Sequence, residues 1–157
     1  MSVLVLGGAG YIGSHTVYAL IEKGEDVVIV DNLQTGFKQL IHPKAKFYQG
    51  DLRDKEFLNS VFEKEDIKGV IHFAANSLVG VSMKEPLEYY NNNVYGMICL
   101  LEVMKEHGVK YFAELRSSYS INILFFHLLR PLMVSLNIFQ SLKVMKQILQ
   151  IPTGKQN

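Results

Sequence analysis

The sequence predicts an α/β fold, a Rossmann-like doubly wound parallel sheet, on three observations. Val3-Leu4-Val5-Leu6 is a short apolar run followed by closely spaced glycines and then a helical pattern. Val27-Val28-Ile29-Val30-Asp31 is a second such run, ending in a carboxylate about 20 residues past the glycines, the spacing of a dinucleotide-binding unit. Strand-type and helix-type segments then alternate as far as Phe112, and that alternation builds parallel sheets through crossover connections.

The first run reads as a strand buried on both faces, because it lacks polar alternation. Two registers of a glycine motif follow it, Gly7-x-x-Gly10-x-x-Gly13 and Gly8-x-Gly10-x-x-Gly13. In such motifs the first glycine permits a tight turn and the second lets backbone approach a pyrophosphate. The third lets the helix pack against the strand, with phosphates at its positive N-terminus. His15 to Lys23 continues that helix, with Val17, Leu20 and Ile21 on one face and Gly24 as its stop. His15 reads as a helix-surface residue.

Asp31 stands where an acid receives ribose hydroxyls, and it would repel a 2′-phosphate. The neighbouring Asn32 is not basic, so the pair favours NAD over NADP. A loop with Gly36 and Pro43 leads to a third strand, Lys46 to Asp51. Asp51 admits two readings, a crevice acid at a strand's carboxyl end or an N-cap for the next helix. Asp54 to Glu65 is amphipathic, with Phe57, Leu58, Val61 and Phe62 inward. Lys68 to Ala75 is a fourth strand that closes on small residues, and His72 within it reads as a core histidine.

Pro86 suits the first turn of a long helix reaching about His107, before Gly108. Asn91-Asn92-Asn93 is unusual inside it, since asparagine is a poor helix former; the amides either reach the crevice or form a solvated face. Val109 to Phe112 begins a fifth strand.

At 157 residues the chain has the size of one domain. A net charge of +1, with 20% charged residues and no basic patch, argues against a nucleic-acid partner. The single cysteine, Cys99, excludes an intrachain disulfide and reads as a core residue. Met1 is followed directly by a strand, which predicts no signal peptide and a cytoplasmic protein. The apolar stretch Ile121 to Phe139 contains His127, Arg130 and Pro131, which argues against a membrane span.

Gly7-Gly8-Ala9-Gly10-Tyr11-Ile12-Gly13-Ser14-His15, Val30-Asp31-Asn32-Leu33, Gly50-Asp51-Leu52-Arg53-Asp54 and His72-Phe73-Ala74-Ala75 resemble the UDP-glucose 4-epimerases, as does Pro86 to Val94. That family belongs to the extended short-chain dehydrogenase/reductase superfamily, and the resemblance covers Met1 to about Tyr111. It implies NAD as cofactor and the interconversion of UDP-glucose and UDP-galactose through a 4-keto intermediate, a step of galactose metabolism. It implies pyrophosphate contacts around Gly7, Gly10, Tyr11, Ile12 and Gly13, ribose contacts at Asp31 and Asn32, and adenine contacts at Asp51 and Leu52. Phe73, Ala74 and Ala75 would line the cofactor and Asn92 would touch it. Ser77 stands where family members often carry a lysine. The family's homodimer uses the long helix and a second helix without counterpart here.

The family's reaction also needs a Ser/Thr on the fifth strand and a Tyr-x-x-x-Lys pair, in which the lysine lowers the tyrosine's pKa. Neither is present: Tyr119 is the last tyrosine and Ile123 follows it at the lysine position. No catalytic residue is therefore assigned. The genetic code accounts for this. Ile148 to Asn157 can be written ATC CTA CAA ATC CCT ACG GGG AAA CAA AAT. Moved back one nucleotide after a CAA codon for Gln147, it reads Asn-Pro-Thr-Asn-Pro-Tyr-Gly-Glu-Thr-Lys. His127 to Ser135 can likewise be shifted to Ser-Ser-Thr-Ala-Ala-Thr-Tyr-Gly-Glu. Ala113 to Ile121 is not explained by the shift.

The resulting expectation is a truncated sheet with a non-native tail: residues 1–112 bind NAD, residues 113–157 are out of frame and badly packed, and the sugar-nucleotide domain is absent. The chain is expected to bind NAD without turnover, and a UDP-sugar only with the missing half present. The alternative is a non-catalytic nucleotide-binding or regulatory module.

Overall fold

The computed structural model of the chain describes residues 1–75, 86–114 and 139–140. Among the described residues six strands form one parallel sheet in the order β3-β2-β1-β4-β5-β6. They are β1 (Ser2–Leu6), β2 (Asp26–Asp31), β3 (Lys46–Gln49), β4 (Ile67–His72), β5 (Tyr111–Glu114) and β6 (Phe139–Gln140). The chain winds outward from β1 through β2 to β3, then returns to the other side of β1 for β4 and β5. The order therefore reverses between β1 and β4, and in such sheets a crevice opens at that point beyond the strands' carboxyl ends.

Alternate side chains of the central strands feed two cores, as the period of a strand requires. Leu4, Leu6, Val28, Val30 and Val70 meet Leu58, Val61, Phe62, Leu100 and Met104 on one face. Val3, Val5, Val27, Ile29 and Ile71 meet Val17 and Leu20 on the other. Helix α1 (Tyr11–Glu22) covers the second face, while α2 (Lys55–Lys64) and α4 (Gly96–Glu106) cover the first. Both faces of β1 are buried throughout, which is why its sequence shows no alternation.

Several boundaries differ from the sequence reading. The third strand stops at Gln49 and the fourth at His72, since Gly50–Asp51 and Phe73–Ala75 leave the ladder to form the crevice. The N-cap of α2 is Asp54, whose carboxylate accepts the Phe57 N–H at 2.9 Å; Asp51 is not that cap. The long helix is built in three parts: α3 (Pro86–Tyr90), a π turn (Asn91–Tyr95) and α4. The three asparagines fall in the π turn. Gly24 and Gly108 end α1 and α4 at φ +82° and +69°, the left-handed geometry that stops a helix.

Beyond the fifth strand, Phe139–Gln140 pairs parallel with Tyr111–Phe112. Two residues near the end of the apolar stretch thus extend the ladder, satisfying backbone groups that an edge strand would leave open. Ala113–Glu114 complete β5, and the rest of the tail, including Tyr119 and both frame-shifted segments, lies outside the described residues, as does Ser77. Among the described residues no helix is long and apolar enough to cross a membrane. Cys99 is buried at 3% exposure, His15 is exposed and His72 is buried beside Phe112, as read from the sequence.

Candidate functional site

A cleft of about 600 Å³, solvent at its mouth included, opens where the sheet order reverses. Gly7 and Gly10 form one wall, directly after β1. Gly7 is at φ +75°, and its N–H donates to the Val30 carbonyl at 2.9 Å. A side chain there would press on the backbone of Ala74, with the Ala74 nitrogen 2.7 Å from the added carbon. Glycine at this position thus lets the turn after β1 lie against the segment after β4.

The overlapping glycine registers separate in space. Gly7 and Gly10 line the cleft, whereas Gly8 faces inward, and a Cβ on it would stand 2.8 Å from Ile29 Cγ2. Gly13 is buried, and a Cβ on it would overlap the Gly7 carbonyl oxygen. It is the contact that lets α1 start close to β1. Tyr11 and Ile12 stand exposed at the head of α1 and do not line the cleft. That helix has no side-chain cap and no acid in its first turn, so no residue of that turn competes with an incoming anion.

Asp31 ends β2 on the α1 face, in step with Val27 and Ile29. Its carboxylate accepts the Ala9 N–H at 3.0 Å and the Leu33 N–H at 2.8 Å. Leu33 holds φ +60°, rare for a branched side chain, and that Asp31 bond holds the turn. Gly36 passes over the same carboxylate, where an added Cβ would lie 2.9 Å from its oxygen.

Asp51 lies beyond β3. Arg53 grips it with two parallel bonds, Nε to Oδ1 and Nη2 to Oδ2, each 2.9 Å. The Arg53 N–H adds a third bond to Oδ1, and Asn32 Nδ2 reaches Oδ2 at 3.3 Å. The Arg53 fork, ahead of an opposing desolvation effect, brings the Asp51 carboxyl down to about 2, so it is ionised and accepts only. The remaining wall is Phe73, Ala74, Ala75, Leu52 and Asn92. Phe73 donates its N–H to the Leu6 carbonyl at 2.8 Å, which ties the end of β4 to β1.

Ten of the residues singled out from sequence therefore share one cleft: Gly7, Gly10, Asp31, Asn32, Asp51, Leu52, Phe73, Ala74, Ala75 and Asn92. Tyr11, Ile12 and Gly13 stand behind or beside its glycine wall. Sequence matches the NAD dependent epimerase/dehydratase family over residues 3–121. The chain belongs to that family.

Relatives within it include the UDP-glucose 4-epimerase of Streptococcus mutans, 62% identical over 125 residues, which are 77% of this chain and 38% of that protein. The UDP-glucose 4-epimerase of Lacticaseibacillus casei is 58% identical over 110 residues, 70% of this chain and 33% of its own. The solved Thermus thermophilus UDP-glucose 4-epimerase, in complex with NAD, superposes with a TM-score of 0.80 at 30% identity, covering 89% of this chain and 53% of that one. The chain spans about a third of the length of the curated relatives it matches. The family match runs to residue 121, past Tyr111, about where the resemblance read from sequence ends.

Val30, Gln34, Thr35 and Gly50 also line the cleft and were not anticipated. Val30 lies near the end of β2 and Gly50 directly after β3, and no side-chain chemistry marks them. Gln34 and Thr35 arrive because Asp31 and Asn32 fold the next turn back, with the Gln34 N–H on Asn32 Oδ1 at 2.9 Å. The signal available in sequence was the Asp-Asn pair before a glycine, a turn-forming pattern.

Proposed function

We propose that this chain is an NAD-binding fragment of a UDP-glucose 4-epimerase, and that its 157 residues alone bind NAD without epimerising a UDP-sugar. The observation that carries the reading is the placement of Gly7, Gly10, Asp31, Asp51 and Asn92 on one cleft at the reversal of strand order. The residues fit the cofactor in kind. The uncapped N-terminus of α1 suits a pyrophosphate, Asp31 suits ribose hydroxyls, and the carboxylates exclude a 2′-phosphate. Bound NAD would supply hydride exchange; this chain's residues bind and orient it. The other ribose and adenine assignments, at Asn32 and Leu52, belong to the same proposal, as do contacts of Tyr11, Ile12 and Gly13 with the pyrophosphate.

Turnover needs the tyrosine–lysine pair that these residues lack. We read the residues after Ile121 as out of frame and the protein as cytoplasmic. A UDP-sugar and a second subunit would engage only with the half that these residues do not encode.

Calorimetric titration of the chain with NAD and with NADP tests the binding; absence of NAD binding at millimolar ligand refutes it, and equal affinity for NADP refutes the role of Asp31. Conversion of UDP-galactose by the isolated chain with NAD would refute the absence of turnover. Nucleotide sequencing across codons 110 to 157 tests the frame: codons that do not yield the shifted motifs end that idea.

A further inference from the structure

Arg53 lies outside the cleft lining, yet it joins the site's Asp51 to two neighbouring parts of the fold. Its fork holds both Asp51 oxygens, its Nη1 donates to Glu88 Oε1 at 2.9 Å, and its carbonyl lies 3.9 Å from Cys99 Sγ. Glu88 is one helical turn before Asn92, so the guanidinium bridges the loop after β3 to the helix that carries Asn92. The helix passes close at this point: a Cβ on Gly96 would stand 3.3 Å from Leu52 Cβ and 3.7 Å from Arg53 Cγ.

The two ends of the cleft differ chemically. An anion belongs at the head of α1, and the carboxylates repel it from the other end. There Asp51, an acceptor without a proton to give, stands beside buried, apolar Leu52. That pairing suits a flat ring whose edge carries N–H donors. Asp51 Oδ2 already accepts from Arg53 at 2.9 Å and from exposed Asn32 at 3.3 Å. The longer bond is the one an incoming amino group replaces, donor for donor. An oxo group at the same place would meet lone pairs instead.

We propose that Arg53 is a positioning residue: by aiming Asp51 and anchoring the Asn92 helix through Glu88, it makes this end of the cleft select an amino-bearing base over an oxo-bearing one. The inference rests on the NAD reading above. Lysine cannot replace the fork, because a single ammonium does not fix both carboxylate oxygens.

The test is calorimetric titration of the chain with NAD and with its deaminated analogue, nicotinamide hypoxanthine dinucleotide. The unmodified chain is expected to prefer NAD by about tenfold. Arg53→Lys is expected to reduce that preference to about twofold, chiefly by weakening NAD. A loss shared equally by both ligands would mean a merely structural role and would overturn the proposal, as would an unchanged preference. Glu88→Ala provides a second variant at a side chain 54% exposed, so folding is retained if Arg53→Lys fails to fold. It is expected to lower the preference about threefold through the loosened guanidinium; no change in preference overturns the proposal. An unmodified chain that binds both dinucleotides equally refutes this inference alone, and one that binds neither refutes the NAD reading with it.

Discussion

Asp31 accepts the backbone N–H of Ala9 at 3.0 Å across a sequence separation of 22 residues. With its second bond to Leu33, one carboxylate holds both the glycine turn and the loop that follows β2. The acid read from sequence as a ligand group is therefore also a structural clamp.

Asp31→Ala removes both acceptors and leaves the buried Ala9 N–H without its partner. A loss of about 2 kcal/mol in stability is expected from urea unfolding of the ligand-free chain. Asp31→Asn keeps one acceptor oxygen and is expected to lose less. An alanine variant as stable as the parent would show that the clamp contributes nothing.

Glycines of positive φ separate two effects. At Gly24, φ is +82° and an added Cβ meets nothing within 4 Å, so Gly24→Ala is expected to lose only about 1 kcal/mol for the left-handed backbone. At Gly7 the same substitution adds the collision with Ala74, raising the loss to about 2–4 kcal/mol and distorting the cleft wall. Thermal unfolding of the pair, with NAD titration of whichever folds, checks the order. Equal losses would contradict the close approach of the two walls.

Acid should unfold the chain partly through two carboxylates. Asp51 is lowered from 3.8 to about 2, first by the Arg53 fork. Burial alone would raise Glu65, yet hydrogen bonds from Lys46 at 2.7 Å and Tyr48 at 2.8 Å hold it below its ordinary value. Both folded values lie under the unfolded ones. Their stabilisation is thus complete above the unfolded range and fades as pH falls through about 4 toward 2. Arg53→Met returns Asp51 toward its ordinary range, so its share should already be missing near pH 5. Urea midpoints between about pH 7 and 3 measure this, and parallel curves for the two proteins would exclude it.

Cys99 sits at 3% exposure under α2 and the Arg53 loop. A disulfide reagent is expected to label it only as fast as the helix opens, and fully once the chain is denatured. Immediate labelling of the folded chain would contradict the burial.

The strand at Val3–Leu6, the acid after Val30 and the glycine spacing were legible in sequence because each rests on local rules. Backbone freedom at Gly7, two-sided burial of β1 and strand alternation need no distant partner to be read. Of the ten residues that share the cleft, Gly7, Gly10, Asp31, Asp51, Ala74 and Ala75 were nameable for the same reason, each at or near a strand's carboxyl end, and Asn92 from a stretch that resists regular helix; the contacts of Asn32, Leu52 and Phe73 came from the family resemblance.

Tertiary structure decided what spacing leaves open. Which of Gly7 and Gly8 faces the cleft depends on Ile29 occupying the space behind Gly8. That Asp54 rather than Asp51 caps α2 depends on the turn before the helix, in which the Asp54 N–H donates to the Asp51 carbonyl at 3.1 Å and leaves Asp54 next to the first helical residue. The part of Arg53 could not be read locally, because its partner Glu88 is 35 residues away and the two meet only when the long helix crosses the loop after β3. Sequence by itself determined the elements, the family resemblance and the kind of ligand. The fold decided which side chains face it, since direction in space is set by packing between elements that the sequence order does not make neighbours.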